Sequence, residues 1–497
     1  MLTTNAAVLS CRLPLFTLIL TLLFLSGCSV TVPNLVGMDR AAAPAALEDA
    51  HLALGTVSSA YSDTEPLGSI LTQNPAAGSQ APRDSAVALV VSRGRVILAD
   101  PETPAAASAQ DGLTWATAYD TLQEAVDAAY FRSAEVWAAR GSFGENRAAK
   151  DAFGSLLLRE GIAVYGGFSA AENFREERNW STNLTVIEGA AALAGEPAVH
   201  VVTGAEGARL DGFTVRGGDG GESSGGGMIN SSPSMAVANC AFTGNTANSG
   251  GAISCWYVSS SLEVDNCLFA RNSCGNHGGS ILTDMAALTL RGCTFDRNTA
   301  DNDGGAVCSA GADVTVSNTT FSRNSASGNG GGIYAFNGGD VTLTNCLFHS
   351  NEALRGGALT SAFSLTNAVL TNCTFSENTA SESGGAVYTY HGSFAATNCI
   401  LWNNTGANTI QFGDSTAVTL SHCCINGGWP EGGTGILDDD PQFLDADAFD
   451  FRLQSGSPCL NAGTWVDAPD TDLRGVSRPQ GSGIDLGAYE MADADYE

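Results

Sequence analysis

A repeat of 26 or 27 residues constrains this chain more than any other feature of its sequence. Small residues recur at that interval, and each is followed two positions later by a large apolar residue. The small-residue column is Cys240, Cys267, Cys293, Thr319, Cys346, Cys373 and Cys399, and the apolar column is Phe242, Phe269, Phe295, Phe321, Phe348, Phe375 and Leu401. A unit this short cannot bury its own apolar face, so successive units must stack on one another.

Each repeat contains three short apolar stretches separated by polar corners. Asparagine tolerates left-handed backbone geometry, and it precedes most members of the small-residue column. These corner residues are Asn239, Asn266, Asn318, Asn345, Asn372 and Asn398. A second asparagine column stands five residues after the small-residue column, and a glycine pair follows it. The pattern predicts a mainly β chain folded as a right-handed parallel β-helix, with an inward stack of the six phenylalanines and hydrogen-bonded ladders of the corner asparagines.

Three parts of this β-helix are predicted, and each resembles a known family. The regular repeats occupy residues 221–425, and their F-x-x-N and G-G-[A/S/G]-[I/V/L] pattern resembles the chlamydial polymorphic outer membrane protein repeat, a family implicated in adhesion. Residues 111–220 are predicted as an N-terminal cap with an amphipathic helix, followed by irregular first coils. Residues 426–497 are predicted as a C-terminal capping segment. Both flanks resemble the choice-of-anchor surface proteins, which implies a cell-surface protein with a tether.

The N-terminus is predicted to be a targeting signal. Residues 13–25 form an apolar run after Arg12, too short to span a membrane as a helix. The run ends Leu25-Ser26-Gly27-Cys28, which resembles a bacterial lipobox. That resemblance implies cleavage of residues 1–27, a diacylglycerol on the Cys28 thiol and, since Ser29 follows, sorting to the outer membrane. The alternative is an ordinary secretion signal with a cysteine there by chance.

A small α+β module is predicted for residues 28–95. It opens with VPNLVGM at residues 32–38, continues with an alanine-rich helix, and ends with VALVVS at residues 87–92. These segments and the Q-x-P-A-A-G turn at residues 73–78 resemble a PASTA domain. The resemblance implies either binding of peptidoglycan fragments or a wall-proximal spacer, and no catalytic residue. Residues 96–110 are predicted as a linker.

Charge excludes two classes of partner. The formal net charge is −30, from 22 Lys and Arg against 52 Asp and Glu. Nucleic-acid binding needs a basic footprint, and so does docking on anionic lipid through a polybasic patch. The sequence therefore predicts no nucleic-acid partner and membrane attachment only through the lipid.

No cofactor is predicted, and metal sites have little support. The chain has 14 cysteines but no C-x-x-C spacing, which disfavours zinc. The column cysteines are predicted as small inward residues, poorly oriented for disulfides, whereas the pairing of Cys423 and Cys424 stays open. Asp445, Asp447 and Asp450 are weak candidates for calcium, and their alternative is a place in the capping segment.

An aromatic stripe is the most useful hint of binding. Its members lie near the third apolar stretch of several repeats: Trp256, Tyr257, Tyr334, Phe336, Tyr388, Tyr390 and His391. Tyr334 and Tyr388 are predicted to point outward from the same strand. Exposed aromatics along a flat stripe suit sugar stacking or a protein partner. The alternative is that they fold over the coil corners and cover the core.

The sequence predicts a cell-envelope-anchored, non-catalytic surface lipoprotein for adhesion, display or association with peptidoglycan or another glycan. Two alternatives stay open: a polysaccharide-active enzyme, lyase or glycoside hydrolase, on the same scaffold, and a purely structural coat protein. Such enzymes need clustered carboxylates, often with a basic residue. An acid and a base on the aromatic stripe would favour the enzyme, whereas asparagine, serine and aromatics alone would favour binding. The fold alone does not choose between them.

Overall fold

The chain forms two compact units, one ending at Arg95 and the other beginning at Val96. The structure is a computed structural model that describes residues 29–362, 366–413, 416–430, 432–492 and 495, without the side chains of residues 257–259. The predicted signal peptide and the lipidation residue Cys28 lie outside the described residues. Within the described residues, no helix is long and apolar enough to cross a membrane.

The first unit is a small α+β fold. A 3-10 turn, Arg40–Ala42, leads into helix α1, Ala43–Asp49, which has a proline in its first turn, where proline is tolerated. The five strands are Ser29–Thr31, Ala53–Ala60, Ile70–Asn74, Gln80–Pro82 and Ala86–Ser92. The last of these is central in a three-stranded sheet, parallel to Ala53–Ala60 and antiparallel to Ile70–Asn74. Leu35, Leu47 and Val87 form its buried core.

The second unit is a parallel β-helix, which confirms the predicted fold class. A regular coil has four strands, illustrated by Val341–Thr344 in row 1, Leu347–His349 in row 2, Glu352–Arg355 in row 3 and Leu359–Ala362 in row 4. Each strand pairs in parallel with the equivalent strand of the next coil. The sequence predicted three strands per coil. The fourth, in row 3, lies between the second asparagine and the glycine pair.

Rows 1 and 4 form one 20-stranded sheet, because two strands run through both rows without a break. Those two strands are Ile253–Asp265 and Ile281–Arg291. The other strands of row 1 are Val96–Ala99, Glu135–Ala139, Ala163–Phe168, Ala208–Asp211, Ser234–Ala238, Val314–Ser317, Val341–Thr344, Asn367–Thr371, Ser393–Thr397 and Ala417–Ser421. The other strands of row 4 are Leu156–Leu157, Val202–Thr203, Met228–Asn230, Val307–Ala310, Ile333–Phe336, Leu359–Ala362, Val387–Tyr390 and Ile410–Phe412.

Rows 2 and 3 form separate sheets of 11 and 6 strands. Row 2 consists of Gly141–Phe143, Thr185–Glu188, Phe213–Arg216, Ala241–Thr243, Leu268–Ala270, Thr294–Asp296, Thr320–Ser322, Leu347–His349, Thr374–Ser376, Ile400–Trp402 and Cys424–Ile425. Row 3 consists of Thr246–Ala247, Ser273–Cys274, Thr299–Ala300, Ser325–Ala326, Glu352–Arg355 and Thr379–Ser383.

The first coil begins earlier than predicted, so the linker over residues 96–110 is corrected. Val96–Ala99 form a buried strand that pairs with Glu135–Ala139. Helix α2, Leu122–Arg132, covers the apolar interior beside them, with Leu122 and Val126 fully buried in the common core. Short 3-10 turns complete this region at Ala107–Ala109, Trp115–Thr117, Arg147–Ala149 and Arg175–Glu177. The sequence did not predict this strand, because its four apolar residues precede a stretch that contains prolines and alanines.

Six phenylalanines form a continuous stack inside row 2. Phe242, Phe269, Phe295, Phe321, Phe348 and Phe375 are all fully buried. Their ring centroids are separated by 5.3, 4.7, 4.8, 4.5 and 4.7 Å, and successive planes differ by at most 9°. The spacing is that of neighbouring strands in a sheet, so the register of the coils fixes the stack.

The corner asparagines adopt the left-handed backbone that the sequence predicts. Asn239, Asn266, Asn318, Asn345, Asn372 and Asn398 have φ between 49° and 55°. Side-chain hydrogen bonds join them in three pairs. Asn266 donates to Asn239 at 2.7 Å, Asn345 donates to Asn318 at 3.1 Å, and Asn398 donates to Asn372 at 3.2 Å. The column is thus a set of short links.

The continuous ladder is formed instead by the second asparagine column, which is buried. Its members are Asn245, Asn272, Asn298, Asn324, Asn351, Asn378 and Asn404. The Nδ2 of Asn324 donates to Asn351 Oδ1 at 2.9 Å and to the Phe295 carbonyl at 3.0 Å. The same Oδ1 accepts from the Asn324 backbone N–H at 3.0 Å. This pattern repeats from coil to coil and satisfies the backbone at the turn after row 2.

The C-terminal region has two parts, where the sequence predicted one capping segment. Residues 426–439 continue the last coil, and Trp429 and Ile436 pack against the end of the core. Residues 440–492, here called the flank segment, lie against the outer side of row 2 and include strands Phe443–Asp445 and Asp450–Leu453 and the 3-10 turn Ala446–Ala448. Asn372 Nδ2 donates to the Asp485 carbonyl at 3.1 Å, and Asn398 Nδ2 donates to the Thr464 carbonyl at 2.8 Å.

Candidate ligand-binding face

Row 4 places one set of aromatic side chains on the outside of the β-helix. Ile333 and Ala335 point into the core, so Tyr334 and Phe336 point outward. Parallel register aligns Tyr334 with Tyr388 through Thr360, and Phe336 with Tyr390 through Ala362. We call Tyr334, Phe336, Ala362, Tyr388 and Tyr390 the aromatic face. It spans three consecutive coils.

Tyr334 points outward from the strand as predicted, but its side chain is buried. Only 5% of this residue is exposed, because its ring stacks on Phe336 at 4.9 Å and packs over Cys308 and Ala362. Burial raises the pKa of the Tyr334 phenol above its usual value. Tyr388 is half-buried and Tyr390 is 38% exposed, so the accessible aromatic surface lies toward the second of the two tyrosine-bearing coils.

The other members of the predicted stripe lie elsewhere or at its edge. Trp256 is 55% exposed and occupies the same column as Phe336. It lies three coils away, however, because Asp284 and Ala310 occupy the column in the two coils between them. The Tyr257 side chain lies outside the described part of the chain. His391 follows Tyr390 in a left-handed turn, and the two rings meet edge to face at 4.3 Å. The stripe is therefore one compact face and one separate tryptophan.

A shallow cavity of about 140 Å³ lies on this face, lined by Asn329, Arg355, Ala362, Tyr388 and Tyr390. Arg355 forms an ion pair with Glu382, with 2.6 Å between Nη2 and Oε2. Both charged side chains are well exposed. Guanidinium, amide and phenol groups are therefore grouped beside aromatic rings, an arrangement suited to hydroxyl-rich ligands.

The residues behind this cavity hold its amide side chain in place. Asn329 donates both its backbone N–H and its Nδ2 to Asp303 Oδ1, at 2.7 and 2.8 Å. His277 Nδ1 lies 3.4 Å from the other oxygen of Asp303. Burial alone would raise the pKa of Asp303, but the nearby His277 and the hydrogen bonds from Asn329 lower it below its usual value. Asp303 is thus a fixed acceptor that orients Asn329.

Sequence reasoning missed Arg355 and Asn329 as part of this face. Arg355 ends the row 3 strand Glu352–Arg355, and Asn329 lies at the equivalent place in the preceding coil, where an isolated parallel bridge joins the two residues. The signal that could have found them is their equivalent position, one or two residues before the glycine pair of their coils.

The predicted calcium residues are occupied with structural roles in the flank segment. Asp445 Oδ1 accepts from the Ala448 N–H at 3.1 Å, and Asp450 forms an ion pair with Arg452 at 2.6 Å. The charge of Asp447 contributes to raising the pKa of Glu377, after burial. Among the described residues, no group of three or more His, Cys, Asp and Glu side chains could hold a metal ion.

The cysteines of the second unit are buried. Twelve cysteines in the described part of the chain carry free thiols, and Cys346 Sγ donates to the Thr344 carbonyl at 3.3 Å. Burial raises the pKa of Cys274 and of Cys293 to about 12. Such thiols are poor nucleophiles at neutral pH and act as small apolar residues.

Two family profiles match the chain. The PASTA domain profile matches residues 30–93, and a profile described as a right handed beta helix region matches residues 197–361 and 304–439. The chain joins a PASTA domain to a right-handed β-helix. The PASTA domain corresponds to the first unit, and the β-helix profile covers the coils that carry the phenylalanine stack and the aromatic face.

Two individual proteins show partial similarity to this chain. A probable serine/threonine-protein kinase of Clostridium acetobutylicum is 38% identical over 64 residues, which are 13% of this chain and 10% of that protein. The chain thus spans about a tenth of the length of the curated relative it matches. Among solved structures, pectate lyase Pel9A matches with a TM-score of 0.36 and 13% identity, over 80% of this chain and 96% of that one.

Proposed function

We propose that this protein is a non-catalytic, cell-wall-associated glycan-binding protein of the bacterial envelope. The observation that carries the proposal is the PASTA domain over residues 30–93, since this domain suggests association with the cell wall. The β-helix adds the aromatic face, where Tyr388, Tyr390, Arg355 and Asn329 line one cavity. In this account the PASTA domain holds the wall, and the β-helix displays or binds a glycan in an adhesin-like role.

Attachment to the membrane is a further part of the proposal. The lipobox-like sequence ending at Cys28 supports a signal peptide over residues 1–27 and a lipid on that cysteine. Ser29 then supports the outer membrane as destination. The repeat pattern and the flanks, which resemble polymorphic outer membrane protein repeats and choice-of-anchor proteins, support surface display. The acidic chain, at −30, supports partners other than nucleic acid.

One observation favours the enzyme alternative. Arg355, which lines the cavity with Tyr388 and Tyr390, has its guanidinium 2.6 Å from the carboxylate of Glu382. A polysaccharide lyase or hydrolase would need such groups. Their ion pair leaves each side chain engaged with the other, which suits recognition of hydroxyls better than proton transfer. The purely structural alternative predicts no glycan affinity at the face.

Co-sedimentation with intact peptidoglycan sacculi tests the proposal. Residues 29–497 are compared with a chain that lacks residues 29–95 and with a Tyr388→Ala, Tyr390→Ala double variant. Phe131→Ala is the matched control, because Phe131 is an 85% exposed aromatic on helix α2. We expect the full chain and the control to pellet, the shortened chain to stay in solution, and the double variant to pellet with reduced affinity. Failure of the full chain to pellet would contradict wall association.

A further inference from the structure

The buried asparagine ladder stops one coil before the β-helix ends, and the structure leaves a cavity there. Register aligns Ile400 with Cys424 and Leu401 with Ile425, so the position after Asn404 in the ladder column belongs to Gly428. Glycine supplies no amide oxygen to accept from the Asn404 backbone N–H. The cavity at this place has a volume of about 520 Å³.

Aromatic rings and amides line this cavity, which we call the terminal pocket. Trp429 is half-buried and meets Phe412 edge to face, with 5.6 Å between the ring centroids. Phe412 in turn packs against Phe394 of the core at 5.4 Å. These contacts hold the Trp429 ring in place, and the ring lines the pocket. An aromatic platform of this kind suits the apolar face of a sugar ring.

The polar lining of the terminal pocket consists of amides whose orientation is set within the pocket. Asn408 Nδ2 donates to Gln411 Oε1 at 2.6 Å, and Gln411 Nε2 donates to the Phe412 carbonyl at 2.9 Å. Asn426 adds a further amide at the rim. Gln411 is also the register partner of Tyr388, so the pocket continues the aromatic face by one coil.

Charge selects the class of ligand. The residues that line the pocket, residues 404, 406–412 and 425–430, include no charged side chain, although the chain carries a net charge of −30. A negative charge lies close to the pocket at Asp438, whose Oδ1 accepts from the Gly427 N–H at 2.6 Å. An anionic ligand would meet repulsion, and a cation would meet no dedicated counter-charge in the lining. Uncharged hydroxyl and acetamido groups can exchange hydrogen bonds with the amides.

We propose that the terminal pocket binds the end of an uncharged oligosaccharide, whose chain continues along the aromatic face. Trp429 stacks on one sugar ring, and Asn408, Gln411 and the Asn404 N–H bind its hydroxyl or acetamido groups. This inference rests on the proposed function in that it names the ligand class of the glycan-binding surface. It does not depend on how the PASTA domain meets the wall.

Titration calorimetry with soluble probes tests the terminal pocket. Residues 29–497 are titrated with cellohexaose, xylohexaose and N-acetylated chitohexaose as uncharged probes, and with hexagalacturonate as an anionic probe of similar length. Trp429→Ala removes the platform, and an Asn408→Ala, Gln411→Ala double variant removes two of the amides that line the pocket. Trp465→Ala is the matched control, because Trp465 is 63% exposed in the flank segment.

We expect at least one uncharged probe to bind, with an affinity about tenfold or more weaker in Trp429→Ala and in the Asn408→Ala, Gln411→Ala double variant, as for loss of a central contact. Trp465→Ala should bind as the unmodified chain does. Three results would overturn the proposal that the terminal pocket binds an uncharged oligosaccharide: unchanged affinity in both pocket variants, tighter binding of hexagalacturonate than of the uncharged probes, or no binding of any uncharged probe. Sacculus co-sedimentation is read separately, so it can succeed when this test fails.

Discussion

At the residue scale, the β-helix is stabilised by columns of identical side chains. In one column, each phenylalanine points inward and stacks its ring on that of the next coil. In another column, each asparagine side-chain amide bonds to the asparagine of the next coil. The phenylalanine stack and the buried asparagine ladder lie on the same turn, since Asn324 Nδ2 donates to the carbonyl of Phe295. Loss of one member therefore affects two neighbouring coils.

Phe321→Ala should lower the free energy of unfolding by about 3–5 kcal/mol, the range for removal of a fully buried phenylalanine. Phe321 is stacked on both sides, at 4.8 Å from Phe295 and 4.5 Å from Phe348, so the surrounding coils cannot collapse into the space. Urea unfolding followed by circular dichroism measures the change. The exposed control Phe131→Ala should stay within about 0.5 kcal/mol of the unmodified chain, and an equal loss in both variants would contradict this account of the stack.

His349 should make the β-helix less stable in acid. Burial between row 2 and the flank segment, with a contribution from Arg323, lowers the pKa of His349 to about 4. The unfolded chain, with a histidine pKa of about 6.5, binds the proton more readily between these values. Stability is therefore fully present above pH 6.5 and falls as the pH drops toward 4.

The effect is measured as the difference between the unmodified chain and His349→Phe, which keeps a ring beside Phe449 and Phe451. The difference in unfolding free energy should change by up to about 3 kcal/mol from pH 7 to pH 4, since one pKa unit corresponds to about 1.4 kcal/mol. Taking the difference cancels the carboxylates that titrate in both proteins. A constant difference across this range would rule out His349 as the titrating group.

At the element scale, the flank segment explains why polar asparagines are buried at the corner beside row 2. Asn345, Asn372 and Asn398 repeat the corner asparagine of earlier coils, but here each amide donates to a carbonyl of the flank segment. Ala488 N–H donates back to Thr374 Oγ1 at 2.9 Å. Asn345 and Asn398 thus both link neighbouring coils and bind a separate segment.

Asn372→Ala should loosen the flank segment, with faster hydrogen exchange at Gly487 and Ala488. The variant removes both hydrogen bonds from Asn372 Nδ2, to the Asp485 and Gly487 carbonyls. Asn266→Ala is the matched control, because Asn266 has a similar left-handed φ of 53° but donates to Asn239 only. We expect exchange at these two amides to rise about tenfold in Asn372→Ala and to stay unchanged in the control. Equal protection in both variants would show that the segment is held by other contacts.

The sequence was sufficient for what repeats and insufficient for what does not. The column from Phe242 to Phe375 and the left-handed corners could be predicted, because every coil imposes the same geometry on them. Burial of Tyr334 could not, since it depends on Cys308 in one neighbouring coil and Ala362 in the other. The flank segment also escaped prediction, because Asn372 and Asp485 are separated by more than one hundred residues and share no pattern.

The binding face shows the same division. Tyr388 and Tyr390 could be assigned to one strand from their spacing, and the structure places them together. Arg355 and Asn329 could not be assigned, since they come from row 3 and the turn beside it, and the sequence did not predict the strands of row 3. The terminal pocket depends on a missing repeat residue, Gly428 in place of asparagine, and therefore becomes visible only once the register of the last coil is known.

At the scale of the whole molecule, the two units have complementary parts in the proposed function. The PASTA domain supports association with the wall, and the β-helix offers a long, rigid and acidic body with one aromatic face. Its cohesion comes from coil-to-coil stacking, which suits a scaffold that presents a surface. The account's central claim is that this molecule binds wall glycan without cleaving it.

The most direct measurement incubates residues 29–497 with intact sacculi and, in parallel, with a panel of soluble polysaccharides, and follows two readouts together. The protein is quantified in the sacculus pellet, and new reducing or unsaturated sugar ends are quantified in every supernatant over time. The account predicts that the protein pellets with sacculi and that no new sugar ends form with any substrate, even at high protein concentration. Steady release of sugar ends, abolished by Arg355→Ala, would contradict it and assign catalysis to the aromatic face.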